Sequence, residues 1–306
     1  MQYTGRGRVA LAAVAVGAVV ALAGCGTSES VDGVDASGEA SGPLVVGSQD
    51  YYSNEIIAEL YAQALEANGF EVEREFRIGQ REVYIPEIES GAIDVFPEYT
   101  GNLLQYYAPD TTATTSDDVY AELMGALPEG LSVLDQAPAT DQDSYNVTQA
   151  FSDEYGVTSL ADLADVPEEL TLGGNSELET RPYGPDGLAD VYGVEVGFTA
   201  IEDSGGPLTI KALQDDDVQL VNIFSANPAI ATSDLVTLED PEGLFLASNV
   251  VPVVSDRVDA EVADVINAVS AALTAEALVE LNSESVDEQR SASDIAADWL
   301  AEQGLV

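Results

Sequence analysis

The sequence has no histidine, one cysteine (Cys25) and one lysine (Lys211). Without histidine there are no histidine triads, histidine general bases or histidine metal ligands. A single cysteine excludes an intrachain disulfide and a cysteine-rich metal site. Positive charge is scarce throughout: 9 Lys and Arg stand against 56 Asp and Glu, a formal net charge of −47. Such a surface repels nucleic acid and anionic lipid, so neither is expected as a partner. The acids are dispersed along the chain, not gathered in one tail. That suits a surface solvated in high salt, where like-charge repulsion is screened, and equally an acidic secreted protein.

What is present is enough for a core. The 306 residues are 46% apolar, room for one large or two medium domains. Arg6 and Arg8 precede an apolar, small-residue run over 9–23. That run is short for a membrane span and right for a signal peptide. It ends in Leu22-Ala23-Gly24-Cys25, which resembles the lipobox of bacterial lipoproteins, whose cysteine is diacylated and becomes the first mature residue. The expected division is a signal peptide over 1–24 and a flexible Gly/Ser-rich tether over 25–43.

Beyond the tether, strand and helix patterns alternate. Residues 43–47 read as a strand. A helix follows over 54–68, with its apolar stripe at Ile56, Ile57, Leu60, Tyr61, Ala64 and Leu65. Asn68-Gly69 ends it. A strand over 70–76 and a helix over 81–90 come next, where Pro86 demands a late start or a kink. This order predicts a largely parallel sheet. Further along, strands are predicted near 132–134, 146–150 and 170–174. The apolar stretch 247–254 contains Pro252, which favours a crossing strand over a central one. One long helix is expected over 261–282. A last helix over 293–303 carries the single tryptophan, Trp299.

The organising stretch is 91–107. A short apolar strand over 93–96 is broken by Pro97-Glu98-Tyr99-Thr100-Gly101. In open α/β sheets ligands bind beyond the carboxyl ends of the strands, which places Tyr99 and Thr100 at a small-molecule site. The segment 207–226 repeats this layout: Leu213 answers Ile88, a strand over 218–221 answers 93–96, and Phe224-Ser225 follow their anchor at the same distance as Tyr99-Thr100. Two such units, each presenting an aromatic ring at a strand end, describe a two-lobe clamp.

Residues 91–101 above all, together with the lipobox, Val46-Gly47-Ser48-Gln49, the helix to Asn68-Gly69, residues 181–187 and 212–230, Leu238-Glu239-Asp240 and the Ala296-Ala297-Asp298-Trp299-Leu300 run, resemble the substrate-binding proteins of osmoprotectant ABC transporters. That family takes glycine betaine, choline, carnitine or proline betaine. The resemblance implies an α/β periplasmic-binding-protein fold of type II, with each lobe a mostly parallel sheet and the ligand between the lobes. Lobe 1 is expected over 44–142 and 253–306, lobe 2 over 143–252. By position, Tyr99, Tyr145 and Phe224 fall on the aromatic cage that holds the cation. Gln49 matches a polar contact of the first loop, and Arg181 matches an arginine that holds a ligand carboxylate or the closed state. Thr100, Asn102, Asp143 and Ser248 complete the expected ligand-binding set. Asn102 stands where the family often has threonine, and Ser248 where a further tyrosine is expected; Phe224 lacks the usual hydroxyl. Tyr51 and Tyr52 read as loop packing.

The resemblance further implies a lipid-anchored monomer on the outer face of the membrane, serving a permease, with no cofactor and no metal. The rival from another class is a hydrolase built on paired carboxylates, and no pair stands out among the acids. A lipoprotein that binds another small solute, or that senses without transport, is the second alternative.

Overall fold

The computed structural model describes residues 42–306. The signal peptide, the lipobox with Cys25 and most of the tether lie outside the described residues. Two five-stranded sheets organise the chain. The first lobe opens with β1 (Leu44–Gly47), α1 (Tyr52–Ala67), β2 (Val72–Glu75), α2 (Arg81–Glu89), β3 (Val95–Tyr99), α3 (Thr100–Tyr107), α4 (Ser116–Ala126) and β4 (Leu131–Val133). The second holds β5 (Asp143–Thr148), α5 (Gln149–Tyr155), β6 (Leu170–Gly174), α6 (Pro185–Tyr192), β7 (Val196–Ala200), α7 (Pro207–Gln214), β8 (Leu220–Phe224), α8 (Ala229–Thr232) and β9 (Leu235–Thr237). The chain then returns through β10 (Val250–Ser255) to α9 (Ala260–Ala272), α10 (Ala275–Val286) and α11 (Ala292–Gln303).

The sheets run β2-β1-β3-β10-β4 and β7-β6-β8-β5-β9, the same plan twice. In each, a central strand lies beside one parallel and one antiparallel neighbour: β3 between β1 and β10, β8 between β6 and β5. The sheets are therefore mixed, not mostly parallel. Each has two parallel and two antiparallel pairings, because the antiparallel member is the strand that arrives from the other lobe.

β10 corrects the reading of Pro252. This strand is interior, wedged between β3 and β4. Pro252 stands opposite Pro97 in the register. The amide of Thr100 donates to the Asn249 carbonyl (2.9 Å), which phases the ladder so that the two prolines form a non-hydrogen-bonded pair. Neither missing N–H then costs a bond between β3 and β10. Pro86 likewise sits inside α2, which starts at Arg81 and runs through it.

The helix expected over 261–282 is two helices, bent by 87° between α9 and α10. Leu273 leaves helical geometry, and the Thr274 side chain accepts the Ala277 amide to begin α10. α9, α10 and α11 pack on α1, burying Val262, Ile266, Leu278, Leu281 and Trp299 in the core of the first lobe. Tyr145, Leu172, Leu188 and Leu220 anchor the second. No single helix among the described residues is long and apolar enough to cross a membrane.

The loop before α6 is held by backbone crowding. A Cβ on Gly187 would lie 2.1 Å from the Pro182 carbonyl oxygen, and one on Gly184 2.1 Å from that of Leu178. Gly187→Ala must therefore move the loop that carries Arg181 and Tyr183. It is expected to destabilise the protein by about 1–3 kcal/mol, the usual range for overpacking. Urea unfolding checks this, and an unchanged midpoint would contradict the tight approach.

Candidate functional site

Both central strands end at one cleft. Tyr99 is the last residue of β3, and Phe224 the last of β8. They line a common cavity of about 60 Å³ with Gln49, Tyr51, Asn102, Asp143 and Arg181 from one side or the other. This is far smaller than the 300–1,000 Å³ typical of sites for drug-sized ligands. The two lobes meet around it. The Tyr51 ring from the β1–α1 loop lies 4.9 Å from the Phe224 ring, and Tyr52 packs edge-on behind Tyr51. Tyr51 is thus a wall of the cavity, which overturns its reading as loop packing.

Asp143, at the start of β5, accepts from Asn102 Nδ2 (2.6 Å) across the cleft and from Asn222 Nδ2 (2.9 Å) within its own lobe. Asn102 Nδ2 also reaches the Tyr183 hydroxyl at 3.0 Å. Asp141, two residues earlier, accepts from the Tyr51 hydroxyl, from Ser53 Oγ and from the Ala226 amide, each at 3.0 Å. It also lines the cavity. Burial raises the Asp141 carboxyl to about 6, against the pull of its three donors. Burial raises Asp143 as well.

Arg181 forms a two-pronged ion pair with Glu82 of α2 (2.6 and 3.1 Å), joining the lobes at the cleft rim. Of the two roles implied for it, holding the closed state matches this geometry. Gln49 is 9% exposed, and its Nε2 has no hydrogen-bond partner among the described residues.

Three expected ligand contacts lie elsewhere. Tyr145 is fully buried beneath the floor, its hydroxyl donating to the Tyr183 carbonyl. The reason is direction. β5 is antiparallel to β8, so its first residue, Asp143, stands at the cleft, and Tyr145 lies two residues deeper. Tyr183 takes the place at the cavity. Thr100 is turned into the protein, donating to the Ala247 carbonyl and accepting the Asn249 amide. Ser248 Oγ donates to Asn102 Oδ1 (2.8 Å) and accepts the Gly101 amide (3.1 Å). It orients Asn102 and does not line the cavity.

Sequence reasoning also passed over Arg81, Tyr183 and Asp141. Arg81 stands first in α2, inside the protein, on the wholly buried Glu98. The strand-end rule that located Tyr99 would have found Tyr51, which follows the carboxyl end of β1. Tyr183 lies in an irregular loop and has no periodic signal.

The raised Asp141 fixes a pH dependence. Its folded value exceeds the ordinary 3.8, so the folded protein binds the extra proton between about pH 4 and 6. The stability from this group is present at low pH and is lost as pH rises through that window. Asp141→Asn should reduce the fall in unfolding free energy from pH 4 to pH 6, by at most about 3 kcal/mol. Urea titrations at four pH values test this; equal slopes for both proteins would refute it.

Residues 42–302 match the family model described as the substrate binding domain of ABC-type glycine betaine transport systems. The chain is 27% identical over 281 residues to the glycine betaine-binding protein YehZ of Escherichia coli, covering 87% of this chain and 92% of that one. The apo structure of YehZ superposes with a TM-score of 0.63 over 86% of this chain and 99% of the other. A glycine betaine/carnitine/choline ABC transporter structure, 17% identical, shares the fold at a TM-score of 0.70, covering 86% and 99% of the two chains. A choline-binding protein in complex with choline, 18% identical, does so at 0.64, covering 87% and 90%. The lobed α/β architecture is that of the periplasmic binding proteins, and the chain belongs to the family of substrate-binding domains of ABC-type glycine betaine transport systems.

Proposed function

We propose that this protein captures a small quaternary ammonium solute of the glycine betaine or choline type in its cleft and delivers it to the permease of an ABC importer. One observation carries the reading. Tyr51, Tyr99, Tyr183 and Phe224 line one cavity with the buried carboxylates of Asp141 and Asp143, which make no ion pair with Lys or Arg among the described residues. A quaternary ammonium has no N–H to donate, so ring faces and buried negative charge are its natural surroundings. The family is a transporter component, not an enzyme, and works outside the cytoplasm.

The proposed anchor is Cys25, diacylated after removal of residues 1–24, with 25–43 as the tether to the membrane. The two lobes, 44–142 with 253–306 and 143–252, would separate at the crossings to admit ligand. The molecule would act as a monomer beside its permease.

The cage is tested at Tyr99. Tyr99→Ala is expected to weaken binding of glycine betaine or choline more than tenfold, about 1.4 kcal/mol. Tyr99→Phe keeps the ring face and should cost much less, since its hydroxyl is engaged inside the first lobe, by Asn54 at a long 3.3 Å and by Ser53. Tyr99→Leu keeps apolar bulk without the quadrupole and should resemble the alanine variant. Calorimetry gives the ordering, and leucine binding as tightly as tyrosine would remove the basis of the cage.

The anchor is tested separately. Cys25→Ser is expected to release the protein from membranes or leave it unprocessed, because two acyl chains give stable anchoring that a lone apolar contact does not. Fractionation with metabolic lipid labelling reads the outcome; full processing and membrane retention would disprove lipidation.

A further inference from the structure

Of the two roles that the resemblance offers Arg181, a ligand carboxylate or the closed state, its ion pair with Glu82 fits the second. A different arginine lines the same cavity. Arg81 is 7% exposed and donates Nε and Nη2 to Glu98, at 2.8 and 2.9 Å. Glu98 is wholly buried and also accepts the Tyr84 hydroxyl (2.5 Å) and the Tyr99 amide (2.8 Å). Four donors converge on that carboxylate, so the guanidinium has one fixed orientation. The fork geometry leaves Nη1 as the far corner, and Nη1 has no acceptor among the described residues. Gln49 Nε2, on the same cavity, has none either.

A buried donor without an acceptor costs stability, so Gln49 Nε2, on the same small cavity as the free corner of the Arg81 fork, marks the place of a ligand oxygen. Asp141 acts on the Tyr51 and Tyr99 hydroxyls, placing it with the rings. Arg81 acts on Arg181, Tyr183 and Asp143, placing positive charge beside Asp143 at the other part of the cavity.

We propose that Arg81, aimed by Glu98 and Tyr84, is a specificity-determining residue that takes the carboxylate of a zwitterionic ligand, with Gln49 Nε2 as the second donor. This rests on the quaternary ammonium reading above and deepens it: betaines are the preferred ligands, and choline, with a hydroxyl in place of the carboxylate, is discriminated against. A guanidinium bond to a carboxylate is charge-assisted on both sides, and a hydroxyl cannot replace it.

Calorimetry with glycine betaine and with choline tests the proposal. The wild type is expected to bind glycine betaine about a hundredfold more tightly than choline. Arg81→Gln alone would strand the Glu98 charge, so it is paired with Glu98→Gln, and circular dichroism verifies folding. The paired variant should lose at least tenfold for glycine betaine and change choline binding less than threefold. Choline binding as tightly as glycine betaine to the wild type overturns the proposal, whether or not the variant folds. Equal losses for both ligands in a folded variant also overturn it, since a merely structural role predicts that result. If neither ligand binds the wild type, the quaternary ammonium reading falls as well.

Discussion

The site depends on one hydrogen-bonding constraint used twice. Each central strand ends by donating an amide to the segment that crosses between lobes: Thr100 to the Asn249 carbonyl, Ser225 to the Gln142 carbonyl. This fixes the last side chain of each strand. Tyr99 stands opposite Val250, and Phe224 opposite Asp143. The crossing segments are therefore both connections and the antiparallel partners that set the register of the aromatic residues. Asp141 extends the constraint. It lies on a crossing and holds Tyr51 and Ser53 of the first lobe to Ala226 of the second. Asn282 of α10 supports the same junction from behind, donating to Ser53 Oγ and to the Ala226 carbonyl.

An acidic chain has to choose which carboxylates to bury. Among the described residues these are Glu59, Asp94, Glu98, Asp141 and Asp143. The first three each hold an arginine: Arg74, Arg257 and Arg81. Asp94 also accepts the Val45 amide and Ser255 Oγ, tying three strands at the far end of the first sheet. Asp141 and Asp143 have hydrogen-bond donors but no ion pair among the described residues, with only the more distant charge of Arg81 acting on Asp143, and both lie on the cavity. Removing one partner of a buried pair leaves an uncompensated charge, so a buried carboxylate without a cation is costly unless a ligand supplies one. Pairing thus separates carboxylates that hold the lobe from those that face the cavity.

Much of this was legible in the sequence, for identifiable reasons. The amphipathic stripe of α1, the repeated helix–strand unit and the breaks after β3 and β8 are local signals, and they located Tyr99 and Phe224. Asn102 and Gln49 also reach the cavity. Tyr145 was misplaced because strand direction is a tertiary property: counting from Asp143 does not reveal that β5 enters the sheet at the cleft and runs away from it. Pro252 was misjudged because its cost depends on which residue it faces. β7 was missed because Val196–Ala200 is a short edge strand with only two apolar side chains, Val196 and Phe198, turned toward the core. Arg81 was read only as the start of a helix over 81–90, since nothing nearby in sequence shows that Glu98, 17 residues away, would bury its charge.

The Tyr51–Phe224 ring pair has a kinetic meaning. One ring belongs to each lobe, so the wall they form exists only while the lobes are together. On the proposed function, a solute held beside this wall loses it when the lobes part, so its residence time would follow the rate of lobe separation. A permease acting as proposed need not compete for the solute at all: drawing the lobes apart would dismantle the wall and set the solute free where the two halves part.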